Sequence, residues 1–384
     1  MERKVKIEHL IADGVRGLQP YVPGKPIEEL ERELGLRDTI KLASNENPLG
    51  PPASALAALR TRLDDLALYP DGSGYSLKLA LGAHHRTDPD RITLGNGSND
   101  LLVLLAEAFL TPGTSAVYDQ YSFVVYRLAI QATGAEARVA PSNQADHAQP
   151  LSHDLDAMRA LIDDTTRLVF ISNPNNPTGT WCDKESLRRF VAGVPDETIV
   201  VIDEAYAEYV ENDDYPCTIG WIDEFPNLVV TRTFSKIYGL AGLRVGYSVS
   251  RPDLAEVLNR VRQPFNVNSL AQHAARAALQ DSGHVDRSRR MNAQGLGTLA
   301  NGLTALGLTI IPSTGNFILV DMGRPAASFH AALLRAGIIV RPVANYGLPN
   351  HLRITVGLPE QNERLLSELK AIIATISSSK AASR

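Results

Sequence analysis

The stretch VVTRTFSKIYGLAGLRVGY, residues 229–247, carries a single amine, Lys236, directly after Ser235 at the end of an apolar run. Thr231, Thr233 and Ser235 alternate toward it, and Gly239 and Gly242 leave the backbone bare before Arg244. Hydroxyls and a guanidinium beside a lone amine suit a small anionic ligand held against that amine. In TLGNGSNDLLVLLAEAFL an apolar strand ends in Gly95, Gly97 follows, and Ser98 stands where a helix N-cap belongs. The N–H groups of Ser98, Asn99 and Asp100, together with the helix dipole, suit a phosphate. In FISNPNNPTGTW, residues 170–181, Pro174 and Pro177 among three asparagines force an extended turn after a buried strand. At the carboxyl edge of a sheet an amide such as that of Asn176 can donate inward to a ligand. In TIVVIDEAYAEY an apolar strand ends in Asp203 and Glu204, with Tyr206 close behind. A carboxylate at the end of a buried strand is costly without a cationic or hydrogen-bonding partner.

Each stretch alone also reads as a capped helix, a plain turn or a structural carboxylate. Together they offer an amine (Lys236), a carboxylate (Asp203), amide and phenol donors (Asn176, Tyr206) and a phosphate cradle (97–99, Ser235, Arg244). Those are the parts that pyridoxal phosphate (PLP) requires: a lysine for the Schiff base, an aspartate for the pyridinium nitrogen, and donors for the phosphate. Two competing readings fail on spacing. A Mg²⁺-binding Asp203 in a nucleotide site needs a GxxxxGK[ST] loop, which the chain lacks. A dinucleotide fingerprint needs glycine at position 100, where Asp100 stands. The histidines, His84 and His85 included, show no HExxH spacing, so no metal site is expected.

The elements that must position these residues are legible as alternation. Strand patterns RITLGNG, SAVYDQ, EARVAP, TRLVFISN, ETIVVIDEAY, NLVVTRTFS and RVGYSVS are separated by helical patterns from SNDLLVLLAEAFL to DKESLRRFVAGV. This predicts an α/β domain with a mostly parallel central sheet covered on both faces. The mixed pattern after about residue 285 predicts a smaller α+β domain. The expected division is an N-terminal arm with part of the small domain over 1–45, a large domain over 46–265, the small domain over 266–376, and a disordered tail over 377–384. With 384 residues the chain exceeds the size at which a single core keeps growing. A net charge of −5 leaves no basic footprint for nucleic acid. Two cysteines, Cys182 and Cys217, are too few for a disulfide framework. The N-terminus has no signal-peptide pattern and no run reaches membrane-span length, so the expected location is the cytoplasm.

The motifs NENPLGPP, YPDGSG, NPNNPTG, DEAYAEY, RTFSKIYGLAGLRVGY, NFILV and LRITVG occur in that order. By them the chain resembles the fold-type I PLP-dependent aminotransferases, and within these the histidinol-phosphate aminotransferases, from about Tyr21 to the last helix. The resemblance implies that Lys236 attaches the cofactor and moves the proton at the substrate Cα. It implies that Asp203 pairs with the pyridine nitrogen and that Tyr206 and Asn176 bond the ring's phenolic oxygen. Ser98, Asn99, Thr233, Ser235 and Arg244 hold the phosphate on this reading, and Phe123 stacks on the ring, where the family often carries tyrosine. Tyr69 matches a tyrosine that reaches the neighbouring subunit's cofactor, which implies a homodimer with shared sites. Arg353 matches the arginine that clamps the substrate's anion, and Tyr21, Asn45 and Arg341 match positions lining the substrate pocket. The implied reaction transfers the amino group of L-histidinol phosphate to 2-oxoglutarate, in histidine biosynthesis. An aromatic amino acid transaminase and a decarboxylase of a phosphorylated amino acid share much of this pattern.

Overall fold

The computed structural model describes residues 7–21, 23–144 and 146–381. The chain begins with α1 (Ile27–Leu34), β1 (Ile40–Leu42), α2 (Ala53–Arg60), α3 (Tyr75–His85), β2 (Ile92–Gly95) and α4 (Ser98–Phe109). There follow β3 (Ser115–Asp119), α5 (Val124–Ala132), β4 (Glu136–Ala140), α6 (Leu155–Ala160), β5 (Thr166–Ser172) and α7 (Lys184–Ala192). Next come β6 (Ile199–Asp203), β7 (Leu228–Thr233), β8 (Gly246–Val249), α8 (Pro252–Val261), α9 (Ser269–Leu279) and α10 (Ser282–Ala305). The chain closes with β9 (Thr309–Ile311), β10 (Phe317–Asp321), α11 (Ala327–Arg335), β11 (Ile338–Pro342), β12 (His351–Thr355) and α12 (Pro359–Ala381).

The seven-stranded sheet has the order β2-β8-β7-β6-β5-β3-β4. Its run from β7 to β4 is parallel, and β8 alone is antiparallel to its neighbours β2 and β7. The fold is therefore α/β with a mostly parallel central sheet. Strand β5 shows why the sheet is buried on both faces. Val169 and Ile171 pack into one apolar core and Leu168 and Phe170 into the other. Strand β6 divides its residues in the same way, with Val200 and Ile202 against Ile199 and Val201. The period of two sends alternate residues to opposite faces, and helices on each face cover them. Side-chain caps fix several of these helices: Asp183 accepts from the Ser186 N–H at the start of α7, and Asn268 from the Ala271 N–H at the start of α9.

The second sheet has five strands in the order β1-β11-β12-β10-β9. Its core joins Ile318, Val340 and Ile354 to Leu303 of α10, Leu333 of α11 and Leu365 of α12. Strand β1 pairs in parallel with β11 at the edge of this sheet. Two expectations differ from the structure. Helix α9 packs on α2 and α3, with Ala271, Ala274 and Ala278 in the large core, so the boundary expected after 265 falls one helix early. Helix α12 runs on to Ala381, so residues 377–381 are helical where a disordered tail was expected; 382–384 lie outside the described residues. Among the described residues no helix is long and apolar enough to cross a membrane.

Candidate active site

Strands β2, β3, β5, β6 and β7 all run in one direction, so their carboxyl ends share one edge of the sheet. Ligand crevices of open α/β sheets lie at that edge. A cavity of about 250 Å³ opens there, lined among others by Ser98, Asn99, Phe123, Asn176, Asp203, Tyr206, Thr233, Ser235, Lys236 and Arg244. The sequence scatters these side chains over about 150 positions; the parallel strands gather them.

Asp203 closes β6 and is buried. Its Oδ1 accepts from the Thr231 hydroxyl at 3.0 Å and its Oδ2 from the Tyr126 phenol at 3.0 Å. Burial pushes the carboxyl up to about 6, and the two hydroxyls oppose that rise. Lys236, half-buried in the cavity wall, donates from Nζ to the Ser44 carbonyl at 3.2 Å and lies 5.7 Å from the centre of the Tyr206 ring. Burial first, then the Arg353 guanidinium, bring its amine down to about 8. The Tyr206 hydroxyl accepts from Asn45 Nδ2 at 2.9 Å, and burial raises that phenol to about 12.

A cradle of donors faces the amine. Helix α4 begins at Ser98, and its first two residues, Ser98 and Asn99, line the cavity. Gly97, at φ 82°, carries no Cβ; one built there would stand 2.8 Å from Arg244 Nη2. Gly246 of β8 backs the same turn, and a Cβ there would lie 2.4 Å from the Ser98 nitrogen. Arg244 reaches the Ser235 Oγ at 3.4 Å and the Ala241 carbonyl at 2.9 Å. Hydroxyls, N–H groups, a helix N-terminus and a guanidinium around one space make a site for a multiply charged anion.

The pattern of the class I and II aminotransferases matches residues 37–369. A histidinol-phosphate aminotransferase of Pseudomonas fluorescens is 55% identical over 95% of this chain and 98% of the relative. One from Pseudomonas aeruginosa is 54% identical with the same coverage. The crystal structure of the Sinorhizobium meliloti histidinol-phosphate aminotransferase, in complex with pyridoxal-5'-phosphate, superposes with a TM-score of 0.85 at 30% identity, covering 92% of this chain and 96% of that one. The chain belongs to the histidinol-phosphate aminotransferase family.

Around the inner cavity of this aminotransferase the remaining expected residues take three arrangements. Arg353 is buried beside it, donating to Asn176 Oδ1 and the Ala43 carbonyl, while its Nε has no partner. Asn45 is buried and fully bonded, its N–H to Thr355 Oγ1 at 2.9 Å and its amide to Tyr206, so it braces the tyrosine and is not part of the cavity wall. Tyr21 and Arg341 line a neighbouring cavity of about 610 Å³, with the Arg341 guanidinium 5.3 Å from the Tyr21 ring centre. Tyr69 stands apart from both cavities, 83% exposed and stacked on Phe265 at 4.9 Å.

Sequence reasoning did not single out Tyr126 or Ser44. Tyr126 sits on α5, three residues past Phe123, and its apolar neighbours read as core. Ser44 acts through its backbone carbonyl, which no residue type announces.

Proposed function

We propose that this chain is a PLP-dependent transaminase acting on L-histidinol phosphate and 2-oxoglutarate, giving imidazole acetol phosphate and L-glutamate in histidine biosynthesis, in the cytoplasm. The observation that carries the choice of donor is the register of β11 and β12. Arg341 lies directly opposite Arg353, so both side chains leave the same face of the sheet. Like charges directly opposite are destabilising. A phosphate ester between or beside them turns that cost into binding, and a doubly charged group uses both cations where a carboxylate needs one. The unpartnered Nε of Arg353 fits a ligand that completes its bonding.

The residues of the inner cavity fit PLP. The cradle of Ser98, Asn99, Thr233, Ser235 and Arg244 would hold its phosphate, Asp203 its ring nitrogen, and Asn176 and Tyr206 its phenolic oxygen, with Phe123 against the ring face. Bound there, PLP supplies an electron sink for the pair released when the substrate Cα–H bond breaks. Lys236 is the base for that proton. Its depressed pKa leaves a sizeable neutral fraction near neutral pH, which a surface lysine lacks. Arg353 anchors the anionic end of donor and acceptor in turn, so both present the reacting carbon to the same amine.

Tyr69 supports a homodimer with shared sites, because its exposed ring has no place in its own subunit's cavity.

A panel of amino donors (histidinol phosphate, phenylalanine, tyrosine, histidine and glutamate) with 2-oxoglutarate tests the reading. Histidinol phosphate is expected to give the highest kcat/KM. Phenylalanine in first place would make the chain an aromatic amino acid transaminase.

A further inference from the structure

Tyr126 is fully buried on α5, and its ring stacks on Phe170 with centroids 4.8 Å apart and planes 9° from parallel. The Phe123 ring meets it edge-on at 6.1 Å. Packing on two sides leaves the ring no freedom to turn, and its phenol ends against Asp203 Oδ2. Apolar packing of this kind asks only for phenylalanine; a buried hydroxyl is costly unless it has a partner. We infer that Tyr126 is a positioning residue for transamination, holding the Asp203 carboxylate in place for the cofactor's ring nitrogen.

The phenol is suited to that task because it keeps its proton. Burial, then the neighbouring Asp203 charge, hold Tyr126 well above the ordinary phenol range, so it donates at every working pH. Thr231 donates to the other carboxylate oxygen, and the two hydroxyls together fix the plane of the group. Each oxygen keeps a lone pair for a further donor. The hydroxyls also favour the charged form of a carboxyl that burial would otherwise neutralise. A neutral Asp203 offers the ring nitrogen no counter-charge. Tyr126 therefore acts on the cofactor through Asp203 and touches no substrate atom.

The inference rests on the PLP reading, and titration of the full-length, cofactor-stripped protein with PLP separates the two. Tyr126→Phe keeps the stacking on Phe170 and removes the hydroxyl alone. Its dissociation constant for PLP is expected to rise about tenfold, the low end for a hydrogen bond to a charged group. In an Asp203→Asn background the same substitution is expected to change that constant less than twofold, because the charge it serves is gone. Melting temperatures of the cofactor-free variants check that each is folded. Unchanged PLP binding in Tyr126→Phe overturns the inference. So does an equal loss in both backgrounds, which would make the hydroxyl a packing element only. Failure of the unsubstituted protein to bind PLP overturns the cofactor reading instead.

Discussion

In the Asp203 carboxyl and the Lys236 amine, burial works in opposite senses on the two pKa values and in one sense on the charges. It raises the acid to about 6 and lowers the base to about 8, favouring the neutral form of each. The acid must nevertheless carry charge against a pyridinium, and the base must be free to take a proton. Asp203→Asn keeps shape and removes that charge, so turnover is expected to fall about 10²-fold or more, the span for losing a positioned electrostatic group in a closed site. Turnover close to the unsubstituted enzyme's would reduce Asp203 to a structural group. In the folded, cofactor-free protein the Lys236 amine loses its proton near 8, and in the unfolded chain only near 10.5. Between these values the unfolded state binds more protons, so stability rises with pH. Compared with Lys236→Met, the cofactor-free protein should gain in melting temperature from pH 8 to pH 10. A constant difference across that window would mean that the amine is not depressed.

At the scale of elements, strands β11 and β12 carry the choice of substrate. Arg341→Ala removes one cation of the opposed pair and leaves Arg353. Charge-assisted bonds are worth roughly 1.5–3 kcal/mol, so KM for histidinol phosphate should rise about 10- to 100-fold while phenylalanine changes much less. Equal losses for both donors would remove the reason for preferring the phosphate ester. The mixed pattern after about residue 285 gives α+β character but not this register, because which residue opposes which depends on the fold of the whole small domain. The seven strands of the large sheet were legible because short runs such as TRLVFIS, IVVID and LVVTRT are rich in β-branched residues and alternate with longer helical patterns. So were the cavity's side chains, because they stand where those runs end. What escaped was long-range or weakly patterned. Strand β1 is three residues long and exists through β11, some 300 positions away. Helices α2 and α3 carry a weak apolar stripe and are fixed by packing against α9. The bond from Tyr126 to Asp203 spans 77 positions and the bond from Asn45 to Tyr206 spans 161, distances at which no local pattern signals a contact.

At the scale of the whole molecule, several large apolar side chains among the described residues lie exposed, and one of them, Tyr69, stacks on another, Phe265. Leu63, Leu66, Leu68, Tyr69, Tyr75 and Phe265 are each between 45% and 83% exposed, and the first four follow one another closely in the chain. Large exposed apolar groupings on a globular protein mark association surfaces. In the proposed homodimer the interface would cover these side chains on both subunits and bring each Tyr69 toward the partner's cradle. On that arrangement Lys236 and Tyr69 of one working site belong to different chains. Lys236→Ala is expected to be inactive by itself, and Tyr69→Ala strongly impaired. Mixed under conditions that exchange subunits, the two should form hybrids in which one site has both residues intact and the other has neither. With random pairing half of the dimers are hybrids, so activity should return to about a quarter of the unsubstituted level. Size-exclusion chromatography with differently tagged chains verifies the exchange. Verified hybrids without recovered activity would show that each site draws Lys236 and Tyr69 from one chain, or that Tyr69 takes no part in it.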